Sequence, residues 1–408
     1  RGNKLFLNVE GKRFKDITDD AGIVWLRDSD NLPGEPRQPI IADMDNDGLQ
    51  DIIITYVDNT HRVYKNLGGS KFENVTNIAS LGGEGLVGGP ATVFDYDNDG
   101  DLDFYVTYFG DYLNGILPTL KRKNYNGLPN KLYENIGGFK FKDVSKGSGV
   151  ENTGWGQAVT HTDFNRDGWQ DLIVGNDFGV NAYYRNNQNG TFTDVSQVLG
   201  TDKPSYTMGI GLSDLNSDLI PDVYISNIVT MNKDEKYVLP SEKTTAKFNP
   251  DKLATMRVVE ANDLFLSRVS NEGLLYDHSY AVERGDYSTG WSWDADFFDV
   301  DNDGDDDLYV TNGMNEFNLY SSENPYYQDP LSNETKNIYI PVSTKETNVF
   351  FVNDQGKLKN MSKDSGLDFL GNSRSATYLD FDNDGDLDVA LNNYHDKSKF
   401  YINQANLL

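Results

Sequence analysis

The chain contains no cysteine, which excludes disulfides and thiol chemistry. Histidine is scarce: His61, His161, His278 and His395 are the four copies, they fall on different stretches, and no catalytic motif surrounds any of them. Of these His161, beside a candidate strand that also follows Trp155, is the best placed as a base or metal-site neighbour. No apolar run reaches the roughly 18 residues that a membrane span needs. The opening Arg1-Gly2-Asn3-Lys4 lacks the apolar core of a signal peptide, so the expectation is of a segment removed or never made. Positive charge is also in short supply, with 36 basic residues against 64 acidic ones and a net charge of −28. Nucleic acid and anionic membrane are thereby excluded as partners of the surface as a whole. Aromatics, by contrast, are plentiful at 24 Tyr, 21 Phe and 5 Trp, which separates the chain from disordered acidic sequences.

The acidic excess is concentrated in one pattern. Asp299-Val300-Asp301-Asn302-Asp303-Gly304-Asp305-Asp306-Asp307 sets carboxylates at alternate positions, a glycine at the sixth and another carboxylate at the ninth. The same nine-residue pattern starts at Asp43, Asp95, Asp163, Asp214 and Asp380. In such a loop the side chains at positions one, three, five and nine and the carbonyl at position seven are the expected ligands of a hard cation. They are Asp43, Asp45, Asp47 and Asp51 with Leu49, and then Asp95, Asp97, Asp99 and Asp103 with Asp101. Next come Asp163, Asn165, Asp167 and Asp171 with Trp169, and Asp214, Asn216, Asp218 and Asp222 with Ile220. The last two sets are Asp299, Asp301, Asp303 and Asp307 with Asp305, and Asp380, Asp382, Asp384 and Asp388 with Asp386. All-oxygen sets of this kind suit calcium, whereas zinc would call for His or Cys, so about five to six structural Ca2+ ions are expected. The fourth loop carries Leu219 where glycine is expected and Pro221 near its end, and should bind most weakly or stay empty. The fifth is the most acidic and should be among the last to lose its ion.

Each loop lies between two short β-rich runs, and two more runs follow. The third type is seen in Val63-Tyr64-Lys65-Asn66 and Leu132-Tyr133-Glu134-Asn135, and already at Leu5-Phe6-Leu7-Asn8. The fourth is seen at Phe72 to Thr76, Phe141 to Ser145 and Phe192 to Ser196. Four strands per unit, with the acidic loop in the first hairpin, predict an all-β chain folded as a β-propeller of four-stranded blades. No linker or domain boundary interrupts residues 1–408. Seven blades is the first expectation and six the alternative, because the strands found fall short of seven full sheets and the chain both enters and leaves at a third-type strand. Closure by the two termini is expected in either case.

The succession of acidic loop, strand, Leu-Tyr-x-Asn and Gly-x-Phe-x-Asp-Val-Thr resembles the FG-GAP/VCBS repeats of integrin-type propellers. Gly154-Trp155-Gly156, Asn176-Asp177-Phe178-Gly179 and Tyr184-Arg185-Asn186-Asn187 are similar to the cartilage acidic protein and UnbV-like branch, common among secreted proteins. The resemblance implies a seven-bladed calcium propeller whose first blade begins upstream of Arg1. It lacks the UnbV-type C-terminal segment, and it names no activity.

Up-and-down strands put the acidic loops on one face of the ring and the connections between second and third strands on the other. Three long insertions, at about 110–130, 228–262 and 312–347, all belong to that second face, where long loops on a rigid scaffold usually carry function. The middle one is expected to hold a helix capped at Asn249-Pro250. Trp155, Trp291, Trp293, Tyr112, Tyr125 and Tyr326 are the candidate ligand-binding residues, able to stack on a sugar or grip a peptide. The reading is a non-catalytic, calcium-stabilised recognition or adhesion propeller that binds a glycan or an extracellular or cell-surface protein. It would be secreted, extracellular or at the cell surface, with the periplasm as the other compartment. Two alternatives stand beside it: a carbohydrate-active enzyme similar to the polysaccharide lyases that use propellers, and a scaffold subunit of a cell-surface assembly.

Overall fold

The structure, a computed structural model, describes residues 2–119, 123–228, 262–271, 273–278, 289–313, 345–354, 356–394 and 396–405. Among the described residues the strands form five four-stranded antiparallel sheets and one three-stranded sheet, in chain order six blades, with three two-stranded ladders beside them. The first blade runs Glu35–Ala42, Asp51–Val57, Arg62–Asn66 and Phe72–Asn74. The sixth stops at three strands, Ser373–Leu379, Asp388–Asn393 and Lys399–Tyr401. Neighbouring first strands pack against one another from blade one to blade six.

Six blades replace the seven first expected, and the reason lies in strand pairing. The early third-type and fourth-type strands, Phe6–Val9 and Arg13–Asp16, pair only with each other and do not complete the sixth sheet. This hairpin is nevertheless seated. Asn8 Nδ2 donates to the Phe381 carbonyl of the sixth blade at 2.7 Å, and Phe14 packs on Phe381 and Phe400. On the hairpin's other side Ile17 is buried, and Ile23 and Trp25 pack with Ile52, Ile54 and Tyr56 of the first blade.

The second strands explain the uninterrupted apolar runs that follow each acidic loop. Asp103–Tyr108, Asp171–Asn176, Asp222–Asn227 and Asp307–Asn312 are buried from end to end, since each lies mid-sheet with a blade on either side. The core is accordingly distributed between blades: Ile40, Ile53 and Val63 of the first meet Phe104, Val106 and Tyr108 of the second. Burial of that many large side chains, at about 25 cal/mol per Å² of apolar surface, is the main force holding the blades together. All six first strands carry a register shift, as between Gly156 and Ala158, which adds twist where blades converge.

The fourth strands are shorter than the sequence suggests, ending at Asn74, Asp143, Asp194 and Asn360. The cause is local. Each of these side chains accepts the N–H two residues on, as Asp194 Oδ1 does from Ser196 at 3.0 Å, and this turn bends the chain out of the sheet. The Ser or Thr so placed then accepts an N–H from the third strand, Ser196 Oγ from Tyr183 and Ser145 Oγ from Leu132, both at 2.9 Å. That pair of bonds is the physical content of the recurring Asp-Val-Ser/Thr.

Candidate metal loops and the opposite face

The acidic loops are built by their own backbones. Position one accepts the amides of positions five and six, as Asp95 does from Asp99 at 3.1 Å and Gly100 at 2.9 Å. Position six has φ between +85° and +94° in the five loops with glycine there, which only glycine enters without strain. The fourth loop forces Leu219 into the same region at φ +68°.

Position nine does something its sequence pattern did not disclose. Asp103 accepts the Tyr96 amide at 3.1 Å on one oxygen and the Asn135 amide at 2.8 Å on the other. Asp51, Asp171, Asp222, Asp307 and Asp388 repeat this bracket, each tying its own loop to the third strand or a residue just after it. Burial pushes Asp103, Asp171 and Asp307 up to about 7, against the pull of the two amide bonds each receives. The third-strand asparagines add a clamp between blades: Asn135, Asn186 and Asn403 donate to the Met44, Tyr96 and Val300 carbonyls of the preceding loops at 2.7 to 2.9 Å.

The six loops differ in how their carboxylates are used. In the second, Asp95, Asp97 and Asp99 bring three carboxylate oxygens within 4.8 Å of one another, and the same holds for Asp299, Asp301 and Asp303 and for Asp380, Asp382 and Asp384. Asp45 Oδ1 in the first loop, Asp97 Oδ1 in the second and Asp305 Oδ1 in the fifth are buried without a hydrogen-bond donor. Burial and the neighbouring carboxylates push Asp305 up to about 6 and raise Asp97 and Asp301. Crowded oxygens with no donor fit a bound cation of +2 charge. In the first loop Asp43, Asp45 and Asp51 also converge, but Lys65 ion-pairs with Asp45 and with Asp47. The third loop is closed by amides: Asn165 Nδ2 and Gln188 Nε2 both donate to Asp167 Oδ2 at 3.1 Å. In the fourth, Ser267 Oγ lies 3.0 Å from Asp218 Oδ1, and Asn216 Nδ2 turns to Asp222 and Ser267. Asp43, Asp163, Asp214, Leu49, Asp101, Trp169, Ile220 and Asp386 lie in these loops, between the first and second strands of their blades.

On the opposite face a second bracket mirrors the first, and the sequence reading missed it. Asn130 Oδ1 accepts the Tyr108 amide at the end of the second strand, and its Nδ2 donates to Tyr105 OH. Asn262 and Asn348 do the same with Asn227 and Tyr224, and with Asn312 and Tyr309. His61 replaces the asparagine in the first blade: Nδ1 accepts from Tyr56 at 3.1 Å, so Nε2–H faces Tyr108 OH at 2.9 Å. Each bracket sits immediately before a third strand. The chain between the two strands can therefore lengthen freely, and all three insertions fall there. Aligning the residue before each third strand was the signal available.

Trp155 is fully buried, with Phe109, Tyr112 and Phe178 around it and Nε1 donating to Asn126 Oδ1 at 2.8 Å. Its ring lies where a Cβ on Gly110 would be, 1.8 Å away, so it is the wall that shapes the first insertion. Tyr125 is 74% exposed, and Tyr112, Leu113, Ile116 and Leu117 are exposed beside it along the same insertion. Trp293 is partly covered by the Arg374 guanidinium, 4.0 Å from its ring, and the Trp291 backbone amide donates to Glu346 Oε2 at 2.6 Å. Tyr326, the Asn249-Pro250 helix and most of the second and third insertions lie outside the described residues. His161 is half-buried, stacked on Phe94 and bonded to Thr92 Oγ1 at 2.8 Å. One cluster was not foreseen: His278 Nε2 reaches Asp263 Oδ1 at 2.7 Å on this face, and Lys203 ion-pairs with the same buried carboxylate.

An FG-GAP-like repeat model matches residues 43–106 and 163–225, which contain the first four acidic loops. Integrin alpha-7 of Mus musculus is 36% identical over 84 residues, covering 18% of this chain and 7% of that protein. Cartilage acidic protein 1 of Xenopus tropicalis is 32% identical over 123 residues, 29% of this chain and 19% of the relative. The chain thus spans a small part of the length of the curated relatives it matches. Among solved structures, an Agrocybe aegerita lectin described as recognising non-reducing terminal N-acetylglucosamine aligns over 98% of this chain and 88% of its own, at 14% identity and a TM-score of 0.48. That likeness is too loose to bear on what either protein binds. The chain is an all-β propeller carrying FG-GAP-like repeats, similar in sequence to segments of integrin alpha-7 and cartilage acidic protein 1.

Proposed function

We propose that the chain is a calcium-stabilised, non-catalytic recognition propeller of the extracellular space or cell surface, with its binding face opposite the acidic loops. The observation that carries this reading is the first insertion. It presents Tyr112, Leu113, Ile116, Leu117 and Tyr125 to solvent, and its start is anchored where Phe109 and Tyr112 pack on the buried Trp155. Exposed apolar side chains gathered along one insertion favour binding. Its aliphatic content favours a protein partner over a sugar, which would be met chiefly by aromatic faces. Calcium is read into the second, fifth and sixth loops, where three aspartates bring carboxylate oxygens within 4.8 Å of one another; when bound it would neutralise those carboxylates and hold the hairpins closed.

One experiment addresses both parts. Arrays of extracellular-matrix proteins and glycans are probed with the wild type and with a Leu117→Asp/Tyr125→Ala variant, in calcium and in chelator, while thermal unfolding is followed in both buffers. The expected result is a protein-directed signal lost in the variant, and an unfolding midpoint several degrees lower in chelator. Equal signals would remove the first insertion from the interface, and an unmoved midpoint would remove calcium.

The Lys203–Asp263–His278 cluster favours a second reading, since a base, an acid and a cation meet there on the insertion face. Release of new reducing or unsaturated ends from an array glycan would establish that reading and overturn the non-catalytic one.

A further inference from the structure

The first loop is the exception among those whose carboxylates converge, because a cation is already present in it. We propose that the Lys65 ammonium is the resident cation of the first loop, so that this loop takes up no calcium. The inference rests on the calcium reading of the second, fifth and sixth loops and concerns only which loops take part.

Lys65 immediately precedes Asn66, whose amide is received by the position-nine carboxylate Asp51 at 2.7 Å. The same register identifies its counterparts as Glu134, Arg185, Leu266, Val352 and Ile402, each one residue before the amide bonded to Asp103, Asp171, Asp222, Asp307 and Asp388. The position is thus free to vary in charge from blade to blade, and in the first blade it is a lysine. From there the side chain reaches across to Asp45 Oδ2 and to Asp47 Oδ2, the latter at 2.8 Å. These are positions three and five, the carboxylates that a metal in this loop would need.

A second feature supports an ammonium in particular. Lys65 Nζ lies 5.4 Å from the centre of the Phe139 ring, in the turn between third and fourth strands of the next blade. Phe139 is buried and held at φ +58°, a strained conformation for an aromatic residue, which the packing with Met44 and Tyr133 sustains. An aromatic face attracts an ammonium and offers nothing to a calcium ion that seeks six to eight oxygens. For calcium to enter, Lys65 would have to leave two carboxylates and this ring, and its positive charge would remain nearby to repel the incoming ion.

The test is the number of calcium ions held at saturation, measured by equilibrium dialysis with elemental analysis on the wild type, Lys65→Met and Lys65→Arg, with circular dichroism to confirm folding of each. Lys65→Met is expected to bind one more calcium per chain than the wild type, and Lys65→Arg the same number as the wild type. Adding Asp45→Asn to Lys65→Met should remove the extra ion, whereas Asp45→Asn alone should leave the wild-type number unchanged. Equal counts for the wild type and Lys65→Met, or loss of an ion in Asp45→Asn alone, would overturn the Lys65 assignment while leaving calcium in the other loops. No calcium on any of the proteins would overturn the calcium reading and the assignment together.

Discussion

The two ends of the second strands are fastened by side-chain brackets of different chemistry. At the loop end an aspartate accepts two amides, as Asp103 does from Tyr96 and Asn135. At the other end a neutral group accepts one amide and donates to a tyrosine hydroxyl: Asn130, Asn262 and Asn348 in three blades and His61 in the first. The charged bracket stands among further carboxylates, so its strength depends on neighbouring charge and on the loops next to it. The neutral bracket depends on neither. This difference explains why insertions gather on one face. A loop whose closing contact is a neutral amide one residue before the strand can grow without disturbing any charge balance, whereas the acidic loops keep their nine-residue length in every blade.

The largest effect should come from breaking the charged bracket. Asp103→Ala would leave the buried Tyr96 and Asn135 amides without acceptors, and at roughly 1 to 3 kcal/mol for each orphaned group the expected loss is about 4 kcal/mol. Denaturant unfolding would measure it. A loss below about 1 kcal/mol would mean that the bracket is incidental and that position nine matters only as a metal ligand.

The neutral bracket can be tested through the one member that titrates. With Nδ1 accepting from Tyr56 and Nε2–H facing Tyr108, His61 is neutral, and burial pushes its imidazole down to about 4 from the ordinary 6.5. Between those values the unfolded chain takes up a proton that the folded chain does not. Stability from this group is therefore complete above about pH 6.5 and is lost as pH falls towards 4, by up to about 3 kcal/mol. His61→Asn restores the bracket found in the other blades and should remove this part of the acid sensitivity, read as a flatter stability profile between pH 6.5 and 4. An unchanged profile would place the acid sensitivity elsewhere.

What could be read from the sequence follows from how local each device is. The acidic loops are nine contiguous residues, so their number, face and neighbouring strands were visible, and blades of four strands followed from them. Position nine was visible as a carboxylate but not as a bracket, because its partner amides lie in another strand, as Asn66 does for Asp51. Lys65 was hidden for the same reason: it lies 18 residues from Asp47, and only the folded register brings them together. Blade number depended on the most distant pairing of all, between the hairpin at Phe6–Asp16 and the sixth sheet, and there the hairpin pairs with itself. Trp155 was expected among the ligand-binding residues, but it is fully buried, and its enclosure by Phe109, Tyr112 and Phe178 depends on contacts between separate strands that no local pattern shows.

The smallest effect sharpens the comparison from within the loop face, by asking whether the fourth loop is an acidic loop that has lost its cation or one that has replaced it. Leu219 holds the left-handed conformation, φ +68°, that glycine holds in the other five, and its side chain is exposed, so it gains no packing in return. Leu219→Gly relieves a backbone strain of about 1 to 2 kcal/mol and forfeits part of that to the greater freedom of glycine in the unfolded chain. The net expectation is a gain of up to about 1 kcal/mol. If the loop is closed by Ser267 and Asn216, as their bonds to Asp218 and Asp222 indicate, the gain should be the same in calcium and in chelator. A gain that appears only in calcium would mean that the leucine had been keeping an ion out, and the fourth loop would then belong with the second, fifth and sixth.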